Sequence, residues 1–257
     1  MQNAIEHELA ELGGRSACIV LGLKHTAPQE LVSINPDMIF PAASLAKLSI
    51  LVEVMRQVDL DILRWDTRYV VPTSARVPGS GALADLSPDL RPALSDLAHL
   101  MISISDNTAA NLLLYLVGMD SVNTTMHQLG LTSTRLERRF MDFEARKSGR
   151  DNWTTAGDMA LLLSYLCTDF FPGKEQILNM LLRQNDNTLL SVYWGEDVPF
   201  AHKTGGLQGI IHDAGILHPS HAPQVPLIVV VMTAEQADEA LTRYTLARIG
   251  KIIYDGS

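Results

Sequence analysis

The chain has 257 residues, 47% of them hydrophobic and 19% charged, with 29 acidic side chains against 20 Lys and Arg and a formal net charge of −9. A chain of this length buries about three quarters of the surface its unfolded form exposes, so one or two lobes sharing a core are expected, not a string of small modules. The acidic balance argues against nucleic acid or an anionic membrane as a partner, because both select basic faces.

The first residues, Met1 to His7, lack the basic start and apolar core of an export signal. Either the chain is cytosolic or it begins after a removed leader. Residues 4–12 read as a short helix ended by Gly13-Gly14. Two β-branched apolar runs, 16–23 and 30–34, read as paired strands. Residues 43–58 form a helix with apolar side chains on every face, Leu48, Ile50, Leu51, Val52, Val54 and Met55 among them, so it is expected at the centre of the core. Helical periodicity returns at about 92–103, 107–117, 120–129, 154–168 and 175–184. Between Leu136 and Trp153 lies a long polar stretch with no period, and a loop of that length in a compact unit is usually functional. Strand patterns follow at about 198–205, 209–217 and 226–233, then a helix over 235–254. The longest apolar run, 226–233, is too short to span a bilayer.

Strands at both ends with helices between them imply an α+β fold. One antiparallel sheet, flanked by helices from both chain ends, is built from residues 1–40 and 188–257, and an all-α lobe over 41–187 is inserted between them. Cys18 falls in a strand and Cys167 in a helix, and both read as buried thiols rather than a disulfide.

Three short motifs occur in order: Ser44-Leu45-Ala46-Lys47, Ser105-Asp106-Asn107 and Lys203-Thr204-Gly205. About one S-x-x-K match is expected by chance at average residue usage, so the first motif alone decides nothing. Each of the other two is expected only about 0.05 times, and all three in order on the order of once in a thousand chains. Context adds to this. Ser44 follows Phe40-Pro41-Ala42-Ala43 and opens the buried helix, where backbone N–H groups favour developing negative charge. Lys47, one turn on, shares its face. Desolvation there lowers a lysine pKa and makes it a base for the serine hydroxyl. The bland alternative is a capping serine and a surface lysine.

Ser105 and Asp106 end one helix and open the next, which capping alone would explain. In the catalytic reading Ser105 relays a proton to the leaving group and Asn107 holds a substrate amide. Lys203 and Thr204, at a strand end, suit a substrate carboxylate, and the two glycines let a substrate lie along the strand edge. The backbone N–H groups of Ser44 and Gly206 are the candidate oxyanion hole.

With these motifs the chain resembles the class A β-lactamase-like serine hydrolases, a penicillin-recognising family. The resemblance covers about 40–233. The run Ser105 to Leu114 looks like the family's second motif and its helix, and Leu129 to Leu136 like the approach to its Ω-shaped loop. It implies a serine cleft between two lobes, β-lactams or D-alanyl peptides and esters as small-molecule substrates, no metal and no cofactor. A monomer is expected.

One departure bears on mechanism. The family's loop carries a glutamate that activates the deacylating water, about two residues after Arg138. Phe140 stands there, followed by Met141, Asp142, Phe143 and Glu144. Either Asp142 or Glu144 takes over by a shift of the loop, or both are solvated or salt-bridged carboxylates. Asn152 falls where an aspartate pairs with an arginine, so loop anchoring is expected to differ. Arg135, Arg138 and Arg139 read as a short local cluster in a solvated or salt-bridged loop.

Three functions follow from the residues. The first is a serine hydrolase that opens the β-lactam ring through a Ser44 acyl-enzyme, with weak turnover. The second is a D-Ala-D-Ala-type peptidase or esterase that β-lactams acylate. The third is a non-enzymatic β-lactam or peptidoglycan-fragment sensor. His202 and His212-Asp213 flank the third motif and are either cleft residues or structural. Trp65, Trp153 and Trp194 read as core or lobe-boundary aromatics, with Trp153 a candidate cleft wall. His218 and His221 are too loosely spaced for a metal site.

Overall fold

A computed structural model describes residues 1–23, 28–168, 171, 173–219 and 225–257. Five strands, β1 (Arg15–Leu23), β2 (Pro28–Ile34), β5 (Phe200–Leu207), β6 (Ile210–Leu217) and β7 (Leu227–Ala234), form one antiparallel sheet in the order β2-β1-β7-β6-β5. The two chain ends therefore share a sheet, as the order of patterns implied. Cys18 pairs with Val231 across β1 and β7, and Thr204 with Asp213 across β5 and β6. Only Gln208 and Gly209 separate the paired Leu207 and Ile210, and Gly209 adopts φ +69°, which a tight hairpin turn requires.

Both faces of the sheet are covered, which is why β6 and β7 are buried along their whole length. Val229 and Val231 face one side with Cys18 and Val20, against α1 (Gln2–Ala10) and α9 (Glu239–Asp255). Ile228, Val230 and Met232 face the other side, toward the helical block. There α2 (Ala46–Asp59) is central, and Ala46 to Met55 are all buried. Around it stand α3 (Leu94–Ser103), α4 (Asn107–Val117), α5 (Met119–Gln128), α7 (Ala156–Leu166) and α8 (Lys174–Leu181). Buried Glu53 on α2 is held by Arg56 (2.8 Å), Gln57 (2.7 Å) and Thr125 of α5 (2.6 Å).

Three short elements carry no sequence period. Strands β3 (Ile39–Pro41) and β4 (Trp153–Thr155) pair with each other, and α6 (Phe143–Lys147) interrupts the long loop. The β3–β4 pairing displaces the start of the helix expected from 154 to Ala156, where the Thr155 hydroxyl caps it at Asp158 N. The last helix likewise starts at Glu239, capped by Asp238, not at 235. Cys18 is buried and Cys167 half-buried, and both are free thiols. Among the described residues no helix is long and apolar enough to cross a membrane.

Candidate active site

Ser44 lies in a single tight turn, Ala43–Leu45, that runs directly into α2. Ala43 takes the left-handed φ of 47°, and the Ala42 N–H is held by the Asn152 carbonyl at 2.7 Å. Ser44 makes no capping hydrogen bond, so plain capping does not explain it. Lys47 is fully buried. Its Nζ lies 2.6 Å from Ser105 O, 2.8 Å from Asn107 Oδ1, 3.0 Å from Ser105 Oγ and 3.2 Å from Ser44 Oγ, more oxygens than its N–H groups can all serve, so the longest contact, to Ser44, is open to a proton passing the other way. Burial first, and the positive charge of Lys203 second, hold Lys47 well below the ordinary lysine pKa, against the opposing pull of Asp106. An amine in that state accepts a proton from a hydroxyl within reach.

Ser105 sits between α3 and α4 with φ 57°, a strained conformation for a serine, and its hydroxyl faces Lys47. The cap of α4 is Asp106, not Ser105. One Asp106 oxygen accepts Ala109 N–H at 2.8 Å, and the other accepts Ala82 and Leu83 N–H at 2.7 Å each. Asp106 thereby ties the 79–83 segment to the site, and Gly81 (φ +114°) lets it approach, because a Cβ there would lie 2.3 Å from the Asp106 carboxylate.

Strand β5 is a sheet edge lying against the Ser44 turn. A Cβ on Gly205 would lie 3.3 Å from His212 Cδ2 and 3.4 Å from Ala42 O, so a side chain there would be squeezed between the Ser44 turn and His212. Gly206 is exposed toward the cleft, and Thr204 also lines it. Lys203 lies beneath. It is fully buried, donates to Thr204 O at 2.9 Å, and burial pushes its pKa down to about 8 against the carboxylates of Asp213 and Asp186. The cleft has a volume of about 650 Å³, with Ser44, Ser80 and Ser105 on one side and Thr204, Gly206 and Gln208 on the other. Arg243 and Glu239 of α9 close one end, Arg243 donating to Thr188 Oγ1 at 3.1 Å. The sequence reading missed Arg243. An arginine on an amphipathic helix carries no local signal, and only the packing of α9 brings it to the cleft.

Phe140 occupies the loop position where a glutamate was expected. Its N–H donates to Asn111 Oδ1 at 2.8 Å and its carbonyl accepts Asn111 Nδ2 at 3.0 Å. Its ring centroid lies 4.7 Å from Lys47 Nζ. Neither nearby carboxylate takes the missing place. Asp142 caps α6 at Ala145 N (2.9 Å), and Glu144 is exposed and paired with Lys147 at 2.7 Å. Neither lines the Ser44 cleft.

Anchoring of the loop corrects a second expectation. The aspartate is present one residue before Asn152: Asp151 and Arg138 form a buried pair at 2.6 Å, joined by Arg146 at 3.0 Å. Asn152 adds a bracket, its Oδ1 accepting Glu137 and Arg138 N–H at 3.0 and 3.1 Å. Arg135 pairs with Glu137, so the arginine cluster is largely salt-bridged.

The flanking histidines are structural. His202 lies between Asp213 (2.8 Å) and Asn187 (3.1 Å), stacked on Phe200. His212 donates from Nε2 to Pro41 O at 2.9 Å and accepts Thr233 N–H at Nδ1, and burial pushes its pKa down to about 4. Trp153 hydrogen-bonds Glu137 beside Arg135, outside the cleft lining. Trp194 packs on Phe200 and Tyr254, and Trp65 bonds Gln176. His221 lies outside the described residues, and among those described no three ligating side chains converge.

A serine opening a buried helix, a desolvated lysine one turn on, and a second serine bridging to that lysine define a class, the active-site-serine enzymes of the penicillin-recognising fold. The chain belongs to the β-lactamase enzyme family, whose profile matches residues 2–256. It is 28% identical to a β-lactamase of Streptomyces lavendulae over 88% of this chain and 77% of that one. It is 26% identical to the OXY-2 β-lactamase of Klebsiella oxytoca over 99% of this chain and 90% of that one. The crystal structure of a β-lactamase from Sphaerobacter thermophilus superposes with TM-score 0.87 at 29% identity, covering 99% of this chain and 97% of that one. PBP-A, at 24% identity and TM-score 0.88 over 99% of this chain and 94% of that one, shares the fold.

Proposed function

We propose that this enzyme hydrolyses β-lactams through an ester at Ser44, and that loss of the acyl group is its slow step. The observation that carries the reading is the placement of one buried amine, Lys47 Nζ, within 3.2 Å of Ser44 Oγ and 3.0 Å of Ser105 Oγ. Ser44 Oγ attacks the lactam carbonyl carbon and its proton passes to Lys47. The N–H groups of Ser44 and Gly206 hold the oxyanion. The ring C–N bond breaks, and the amide nitrogen takes a proton from Ser105, which Lys47 re-protonates. Asn107 holds the substrate's side-chain amide. Thr204, the buried Lys203 charge and Arg243 meet its carboxylate. In this reading residues 1–40 with 188–257 and residues 41–187 form two lobes with the cleft between them, and the enzyme acts as a monomer on a small substrate.

Water must then attack the ester. The ring of Phe140 presents no acceptor for that water's proton, so hydrolysis proceeds without a loop carboxylate. The same observation favours a second reading, a D-alanyl peptidase or esterase that β-lactams trap as an acyl-enzyme. The sensor reading is set aside by membership of an enzyme family. Pulse labelling with a fluorescent penicillin, followed by an unlabelled chase, tests the proposal. Rapid labelling lost over minutes supports β-lactam hydrolysis. Label that persists for hours supports the peptidase reading, and absence of label overturns both.

A further inference from the structure

A second cavity, of about 590 Å³, excludes Ser44 from its lining. Val70 and Val77 of the 69–77 segment, Leu112 and Tyr115 of α4, and Phe140 and Met141 of the loop form its apolar walls. Its volume is that of a small-molecule site. Its mouth leaves apolar surface open, with Val70 56% and Tyr115 71% exposed. Two charged side chains face it. The Asp142 carboxylate is engaged as the cap of α6, accepting Ala145 N–H at 2.9 Å. Arg139 is exposed, and its guanidinium has no hydrogen-bond or ion-pair partner among the described residues. The neighbouring Arg135, Arg138 and Arg146 are all paired with carboxylates.

An unpartnered guanidinium beside an apolar cavity complements a molecule with an apolar body and an anionic end. We propose that this cavity is a second ligand site, distinct from the Ser44 cleft, for a small aromatic or aliphatic anion whose charged group meets Arg139. The net charge of −9 repels anions from the chain as a whole, so binding of one must come from this local arrangement. Phe140 and Met141 also line the recess of about 210 Å³ beside Ser44 and so form the partition between the two spaces. Met141 holds φ 66° in that partition.

The test is a fluorescence titration of the whole chain with anilinonaphthalene sulfonate, an aromatic anion, in the Ser44→Ala background so that chemistry at the cleft plays no part. One saturable site is expected. Arg139→Gln removes the cation and Val70→Asp places a carboxylate on the exposed wall. Arg139→Gln should weaken binding about tenfold, the scale of one lost charge-assisted hydrogen bond, and Val70→Asp by about as much through like-charge repulsion and lost apolar contact. The uncharged phenylnaphthylamine should bind the parent and Arg139→Gln alike. Lys251→Gln, at an exposed cation of α9 on the other face of the sheet, should change nothing. Absence of saturable binding, or sulfonate affinity unchanged in either variant, overturns the proposal.

Discussion

Two regions meet at Ser44, the polar junction of α2 with the α3–α4 link and the 136–153 loop. Both are pinned by buried hydrogen bonds. Lys47 gathers oxygens from Ser44, Ser105 and Asn107, while the loop is fixed by the Arg138–Asp151 pair, the Asn152 bracket and the grip of Asn111 on Phe140. They differ in what they present to a substrate. The first offers the proposed base and relay, the second an aromatic ring. The comparison teaches that the frame of such a loop and its chemistry are separable, because a well-anchored loop here carries no base toward Ser44.

The comparison breaks most severely at Lys47. Lys47→Met should lower the rate of penicillin labelling by about 10³-fold or more, since it removes the proposed base, with circular dichroism unchanged. Labelling within tenfold of the parent would mean that another group takes the Ser44 proton. The loop frame should fail next. Asp151→Asn leaves the buried Arg138 guanidinium without a carboxylate, an expected loss of about 3–5 kcal/mol. For a chain of this length that is a fall in Tm on the order of 10 °C, read by thermal denaturation. A smaller effect is expected at the cleft's end, where Arg243→Gln should raise KM for a carboxylate-bearing substrate by about fivefold to tenfold and leave kcat nearly unchanged. Smallest is the pH arm. Lys203, with a pKa of about 8, is protonated below that pH and neutral above it. Attraction for an anionic substrate should therefore weaken as pH rises past about 8, so KM rises severalfold for an anionic ester but not for its neutral counterpart.

Much of this was legible in the sequence where the signal was local. The three motifs are contiguous, and Ser44, Lys47, Ser105, Asn107, Thr204 and Gly206 do gather around one cleft, with Lys203 buried directly under it. That both ends of the chain share one antiparallel sheet followed from their strand patterns, whereas the order of its strands, β2-β1-β7-β6-β5, came only from the pairing. What escaped lacked a local signal. Three-residue strands such as β3 and β4 have no measurable period, and their pairing moved the start of α7. The loop gives no register, so the sequence points to position 152 for the anchoring aspartate, which stands at Asp151. Arg243 reaches the cleft from a helix more than 190 residues after Ser44, a distance visible only once α9 has packed. His202 and His212 required their buried partners, Asp213, Asn187, Pro41 and Thr233, before they could be read as structural.

The most direct test of the central claim compares acyl-enzyme lifetime in the parent and in Phe140→Glu, by intact-protein mass spectrometry after a penicillin pulse and dilution. A covalent adduct on Ser44 is expected in both proteins, decaying about 10²-fold faster or more in Phe140→Glu, where a carboxylate replaces the ring beside Lys47. An adduct that leaves the parent as fast as it leaves the variant, or no adduct on Ser44 in the parent, would contradict that claim.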